Sequence, residues 1–103
     1  MYKVEYLPIA QNDMVDISRY ISRELQNPTA AVRLADKMVT SADRLSFSPY
    51  MNSVHMPIRP LKNEYRKLLV DNFLMFYYVN EQEKIITIAR VIYAKRDYDK
   101  ILD

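Results

Sequence analysis

The feature that most constrains the fold is the stretch from Tyr65 to Asp97, which contains three strand-like runs separated by two short polar breaks. Residues 73–79 form an almost unbroken apolar and aromatic run, which is typical of a strand at the centre of a sheet. Residues 84–93 are rich in β-branched side chains, which favour extended backbone. Such short breaks predict an antiparallel meander that the rest of the chain has to cover.

The breaks depend on Asn and Asp, because the chain of 103 residues contains no glycine. Asp71–Asn72 tolerates positive φ angles and predicts a tight hairpin. The lack of glycine also excludes Gly-rich phosphate loops and the dinucleotide-binding fingerprint. There is no cysteine and only one histidine, His55, so the sequence offers no ligand set for structural zinc. We expect neither a metal nor a cofactor.

The N-terminal half predicts a short strand and two helices. Residues 2–7 alternate between apolar and polar side chains, as in a strand, and Pro8 stands where a helix can begin. Asn27 and Pro28 are typical of the cap and first residue of a second helix. Each helix has one apolar stripe: Met14, Ile17, Ile21 and Leu25 in the first, and Ala31, Leu34, Ala35, Met38, Ala42 and Leu45 in the second.

The resulting order is β-α-α-β-β-β, which predicts a single α+β domain over residues 1–103. A two-helix hairpin is expected on one face of a mostly antiparallel four-stranded sheet, and basic and tyrosine side chains on the other face and the edges. The long connection 46–64 is expected to have partial β structure near Ser53–Ile58. Residues 95–103 predict a short terminal helix, with Tyr98, Ile101 and Leu102 packing back.

Charge and hydropathy narrow the class of protein. No run approaches the roughly 18 apolar residues of a membrane span, and Met1 leads straight into a strand. We therefore expect a cytoplasmic protein without a membrane partner. The net charge of +2 is too small to indicate nucleic-acid binding by itself, but the basic residues cluster late in the chain. Residues 59–96 contain Arg59, Lys62, Arg66, Lys67, Lys84, Arg90, Lys95 and Arg96.

Three segments, in this order, carry motifs of a known family. Residues 4–21, VEYLPIAQNDMVDISRYI, have an opening strand and an "A…D…I…YI" helix, and residues 65–79, YRKLLVDNFLMFYYV, have a hairpin. Residues 89–97, ARVIYAKRD, are similar to an "RV.H..RD" ending. Together they resemble the RelE/ParE superfamily of toxins from type II toxin–antitoxin modules, over nearly the whole chain.

The resemblance implies a growth inhibitor from a plasmid-stabilisation or addiction module, neutralised by a cognate antitoxin that wraps it with an extended or helical segment. ParE-like members act on DNA gyrase and are not nucleases. RelE-like members are metal-independent mRNA interferases that cleave mRNA on the ribosome. A degenerate member that only binds its antitoxin is a third alternative.

A nuclease of this kind needs a general base, a general acid and a cation that stabilises the phosphorane. If the chain is a nuclease, the candidate catalytic residues are Arg66, Lys67, Tyr93 and Arg96. Arg59 and Lys95 are candidate target-binding residues. His55, in the proline-bearing loop, is interpreted as an ordinary loop histidine.

Two departures from the nuclease pattern favour the ParE branch. Leu74 stands where nuclease members carry an arginine at the start of the strand 73–79. Ala94 stands where RelE-like enzymes place a further arginine after the last strand. Neither side chain can stabilise a developing phosphate charge. DNA gyrase is therefore the favoured target.

Arg90 lies inside an apolar strand, where a charge is rarely left unpaired. We expect a structural ion pair with Asp13 or Asp16 of the first helix, or with Asp97, and select Asp16 as its partner. Asp97 is equally suited to cap the terminal turn.

Overall fold

The predicted order of elements is confirmed in the computed structural model, which describes residues 1–57 and 59–102. The elements are β1 Lys3–Tyr6, α1 Pro8–Arg19, a π-helical turn Tyr20–Glu24, α2 Pro28–Arg44, β2 Arg66–Val70, β3 Phe73–Asn80, β4 Ile85–Tyr93 and a 3-10 turn Tyr98–Lys100. This is the α+β architecture expected from the sequence, with two helices and a four-stranded sheet.

The sheet has the strand order β1-β4-β3-β2, so β4 and β3 are its central strands. The three strands of the meander are antiparallel, whereas β1 runs parallel to β4. The predicted tight hairpin is present at Asp71, which has a φ of 52°, and the second turn ends at Lys84 with a φ of 56°. Asp is among the residues that tolerate this region best, which is how a chain without glycine closes the first hairpin.

The main core lies between the helices and one face of the sheet. Asn27 caps α2 as predicted, because its side-chain oxygen accepts a hydrogen bond from the backbone N–H of Ala30 at 3.1 Å. Met14, Ile17 and Ile21 of the first predicted stripe pack against this core, as expected. Its buried members are Ala10, Leu34, Met38, Ala42, Leu45, Val70, Met75, Tyr77, Ile86, Ile88 and Val91.

Leu25 departs from the predicted stripe, since 55% of the residue is exposed. The reason is the π turn between Tyr20 and Glu24, in which the N–H of Leu25 bonds to the carbonyl of Tyr20, five residues earlier, at 3.2 Å. This wider turn breaks the spacing of three and four residues that an α-helix would have continued.

The expectation for the helix-free face of the sheet is wrong, because this face is not an exposed surface of basic and tyrosine side chains. A second core fills it, built from Tyr65, Phe76, Ala89, Ile92 and Leu102, with Leu61, Leu74, Tyr98 and Ile101 packed against them. The long connection and the C-terminal residues cross this face and supply the apolar side chains. We call the C-terminal residues 98–102 the tail; they pack back as predicted.

The long connection has the partial β structure predicted for it. Val54 forms an isolated bridge with Arg66, and the N–H of His55 donates to the carbonyl of Tyr65 at 2.7 Å. Ile58 of that predicted segment lies outside the described residues, as does Asp103 of the predicted terminal helix. No helix in the described ranges is long and apolar enough to cross a membrane.

Candidate functional site

The four candidate catalytic residues do not converge. Strand alternation sends Arg66 and Lys67, which follow each other in β2, to opposite faces of the sheet. In the sheet, Arg66 pairs with Tyr77 of β3, whereas Tyr93 pairs with Phe73, the first residue of β3. The two pairs are four residues apart along β3, which is a distance of about 13 Å.

Arg66 holds the long connection in place. Its guanidinium donates to the carbonyl of Asn52 at 2.7 Å and, more weakly, to that of Tyr50 at 3.4 Å. It also lies over the Tyr50 ring, 4.9 Å from the centroid, and its side chain is only 18% exposed. This role could not be predicted from the sequence, because Tyr50 and Asn52 belong to a connection without a regular pattern.

The candidate target-binding residues differ in their surroundings. Arg59 donates from Nη2 to the backbone carbonyl of Leu102 at 2.8 Å, so it ties the connection to the tail. Lys95 and Arg96 are exposed on the turn that follows β4. This turn is anchored at the end of the sheet, because the N–H of Ala94 donates to the carbonyl of Asn72 at 2.8 Å. We call Lys95 and Arg96 the basic turn.

Arg90 forms the predicted kind of ion pair, but with Asp13 rather than with Asp16. Its Nε and Nη2 donate to the two carboxylate oxygens of Asp13 at 2.8 and 3.0 Å, and these hydrogen bonds raise the pKa of Arg90 further. The Asp13 carboxylate also accepts the backbone N–H of Val91 at 2.9 Å. β1 ends at Tyr6, so Asp13 takes the place of a neighbouring strand beside β4.

Asp97 is not a helix cap. It precedes the 3-10 turn but its side chain makes no capping hydrogen bond there. Its carboxylate lies 3.7 Å from the ammonium group of Lys100, an exposed pair that stabilises little.

An apolar groove opens between the end of α1 and the end of the sheet where the basic turn lies. It encloses about 660 Å³, and Asp16 and Asn72 are its polar lining residues. The exposed apolar members are Tyr20, Leu25 and Tyr93, each more than 40% exposed, and Tyr93 packs edge-on against Phe73 with 5.9 Å between ring centroids. The apolar side chains of the groove are Ile17, Tyr20, Ile21, Leu25, Phe73 and Tyr93.

A second polar cluster lies at the opposite end of the sheet, around Glu81. Its carboxylate accepts hydrogen bonds from the hydroxyls of Tyr2 at 2.7 Å and Tyr50 at 2.6 Å, and from the ammonium group of Lys84. The Lys84 and tyrosine hydrogen bonds lower the pKa of Glu81 to about 2, and the bond to Glu81 raises the pKa of Tyr50 to about 12. The cluster joins three segments that are distant in sequence, so no sequence motif predicts it.

Glu81→Gln is expected to reduce the change in the free energy of unfolding as the pH falls from 4.5 toward 2. The pKa of Glu81 is about 2 in the folded chain and about 4.5 when unfolded, so its contribution is complete above pH 4.5 and disappears as the pH falls toward 2. Urea denaturation of both proteins at several pH values in this window measures the effect. Glu83→Gln, an exposed change two residues away, serves as the control. Equal slopes for the parent and Glu81→Gln would contradict the assignment.

The single histidine, His55, is packed in the interior of the protein. His55 is buried, with its ring edge-on to Phe76 and Tyr98 at centroid distances of 5.5 and 5.3 Å. Its ring therefore packs against the second core. Across residues 1–57 and 59–102, no three metal-ligating side chains converge.

Solved structures of several toxin–antitoxin proteins share this architecture. A chromosomal ParDE system from P. aeruginosa matches with a TM-score of 0.74 and 18% identity, covering 92% of this chain and 98% of that chain. The RelBE2 complex of Mycobacterium tuberculosis matches with a TM-score of 0.63 and 19% identity, covering 89% and 96%. At these identities the likeness shows the fold.

A mutant of the E. coli toxin RelE in the free state also matches, with a TM-score of 0.62 and 12% identity, covering 98% of this chain and 92% of that chain. No curated protein matches the chain. The sequence model of the ParE toxin of the type II toxin–antitoxin system parDE matches residues 4–98. The chain therefore belongs to the ParE toxin family and is the toxin component of a type II toxin–antitoxin system.

Proposed function

We propose that this toxin inhibits growth by binding DNA gyrase and that it does not cleave RNA. The observation that carries the proposal is the second core on the helix-free face of the sheet. A nucleic-acid strand lying on that face would meet the tail and the long connection instead of an open array of cations.

The positions of the candidate residues support the same conclusion. General acid–base catalysis requires groups within about 3 Å of the reacting atoms. Arg66 and Tyr93 lie about 13 Å apart along the strands, and Arg66 already bonds to backbone carbonyls. Leu74, which replaces the arginine of nuclease members, packs against the second core. These three observations leave no cluster suited to stabilise a phosphorane among the described residues.

The basic turn is the best candidate for contact with gyrase. Lys95 and Arg96 are exposed, and backbone hydrogen bonds from Ala94 to Asn72 and from Arg96 to Tyr93 fix the turn to the end of the sheet. Because its backbone is already fixed, the turn loses less backbone conformational entropy on binding a protein surface than a mobile loop would. Its cations also speed association with an acidic partner.

Supercoiling of relaxed plasmid by purified gyrase tests this proposal. The parent chain is expected to inhibit the reaction, and the double variant Lys95→Glu/Arg96→Glu is expected to need at least about tenfold more protein, since two favourable charge contacts become repulsive. Arg33→Glu, a charge reversal at one exposed position of α2, is the control and should inhibit like the parent.

A ribosome-dependent nuclease would give a different result. Growth arrest with mRNA ends phased to codons and an active gyrase would overturn the proposal. Lys67→Ala should then relieve toxicity, whereas a gyrase inhibitor should tolerate this change. No arrest at all would favour the degenerate alternative.

We also propose that a cognate antitoxin neutralises the toxin by docking in the apolar groove. The solved RelBE2 structure of M. tuberculosis is described as a toxin–antitoxin complex. Three exposed apolar residues in one groove are an incomplete surface that a partner would bury. The neighbouring basic turn favours an amphipathic segment that combines large apolar side chains with carboxylates. Coexpression with the product of the adjacent gene is expected to restore growth and to give a complex that copurifies.

A further inference from the structure

The π turn between Tyr20 and Glu24 ends the first helix with an irregular geometry. Residues 20–26 contain neither proline nor glycine, the usual causes of irregular helices. The backbone is nevertheless drawn into unusual geometry, because Gln26 has a φ of 51° and the N–H of Asn27 bonds to the carbonyl of Ile21 at 3.1 Å. A left-handed backbone is unfavourable for glutamine. Single π turns occur frequently at functional sites.

The turn changes where Leu25 lies. In a continuous α-helix, Leu25 would extend the stripe of Met14, Ile17 and Ile21 and face the main core. One extra residue in the turn sets the following residues back by about 100°, the rotation per residue of an α-helix. Leu25 therefore lies in the apolar groove at 55% exposure, beside Tyr20 at 56%.

We infer that the π turn is the element that shapes the antitoxin groove, and that Leu25 is a specificity-determining residue for the antitoxin. This inference rests on the proposed docking of an antitoxin in the apolar groove. By taking a leucine out of the core stripe, the turn adds an apolar side chain to the groove. The groove then accepts a segment with several large apolar residues, and the basic turn, which follows Tyr93 in the chain, selects carboxylates on that segment.

Two variants separate the turn from the side chain it exposes. Inserting one alanine after Ser22 advances the following residues by about 100°, so that Leu25 would turn toward the core. Leu25→Ser keeps the turn and removes the apolar side chain. Val32→Ser, at a residue that is 63% exposed on α2 and outside the apolar groove, is the matched control.

Isothermal titration with the antitoxin from the adjacent gene measures the effect, and circular dichroism checks the fold of each variant. We expect both groove variants to bind at least about tenfold more weakly, and Val32→Ser to bind like the parent. If the chain with the inserted alanine does not fold, Leu25→Ser decides the matter. Parent-like binding by Leu25→Ser would overturn the inference while leaving the toxin–antitoxin pairing intact. Failure of the parent itself to bind the antitoxin would overturn the proposed docking, and the inference with it.

Discussion

Asp13→Ala is expected to lower the free energy of unfolding by about 3 kcal/mol, the scale reported for breaking a buried ion pair from one side. The Asp13 and Arg90 side chains are only 15% and 21% exposed, so little water is available to replace the lost contacts. Removal of this carboxylate leaves the guanidinium of Arg90 and the N–H of Val91 without their acceptor. Urea denaturation monitored by circular dichroism measures the change.

Three further variants give this prediction its controls. Arg90→Leu should cost less than Asp13→Ala, because the carboxylate of Asp13 keeps the N–H of Val91. The double variant should cost less than the sum of the two single changes, since neither charge then lacks a partner. Asp16→Ala, one turn along the same helix, should change the free energy by no more than about 0.5 kcal/mol. An equal loss for Asp16→Ala and Asp13→Ala would refute the assigned pairing.

The identity of this pair shows what sequence reasoning reaches and where it stops. A charge in an apolar strand predicted a partner, and the short list of aspartates contained the right one. The choice between Asp13 and Asp16 depends on where β1 ends beside β4, and thus on a parallel pairing between segments about 80 residues apart in sequence. No local pattern encodes that register.

Local signals were reliable wherever neighbouring residues decide the structure. The Asp71 turn, the Asn27 cap and the apolar stripe of α2 all follow from propensity and periodicity. Leu25 was placed wrongly because a periodic pattern assumes a regular helix, and the π turn is not regular. The helix-free face was misjudged because its apolar cover comes from the long connection and the tail, two segments without a strong pattern.

The candidate site was also predictable only in part. The sequence identifies the charged residues, but it does not show which of them form hydrogen bonds within the fold. Arg66 and Arg59 contact carbonyls of segments distant in sequence, so their structural use could not be seen from spacing. Lys95 and Arg96 remain exposed in the described part of the chain because β4 ends before them. The apolar groove combines α1 with strand residues, and its defining feature is the irregular turn.

Leu102→Ala is expected to lower the free energy of unfolding by about 3 kcal/mol, within the usual range for a buried leucine. Leu102 is only 1% exposed and belongs to the second core, together with Phe76 and Ile92. Lys100→Ala, at an exposed position of the same tail, is the control and should change stability by no more than about 0.5 kcal/mol. A Leu102→Ala protein as stable as the parent would mean that the tail does not contribute to the core.

This prediction also decides how truncations of the toxin have to be interpreted. A chain that ends at Tyr93 loses the basic turn, but it also loses the tail and uncovers the helix-free face of the sheet. Loss of gyrase inhibition by such a chain would therefore follow from unfolding as readily as from a missing contact. Leu102→Ala weakens the fold and keeps Lys95 and Arg96, whereas the double charge reversal does the opposite. If binding by the basic turn is the mechanism, only the charge reversal should abolish inhibition at a temperature where both variants are folded.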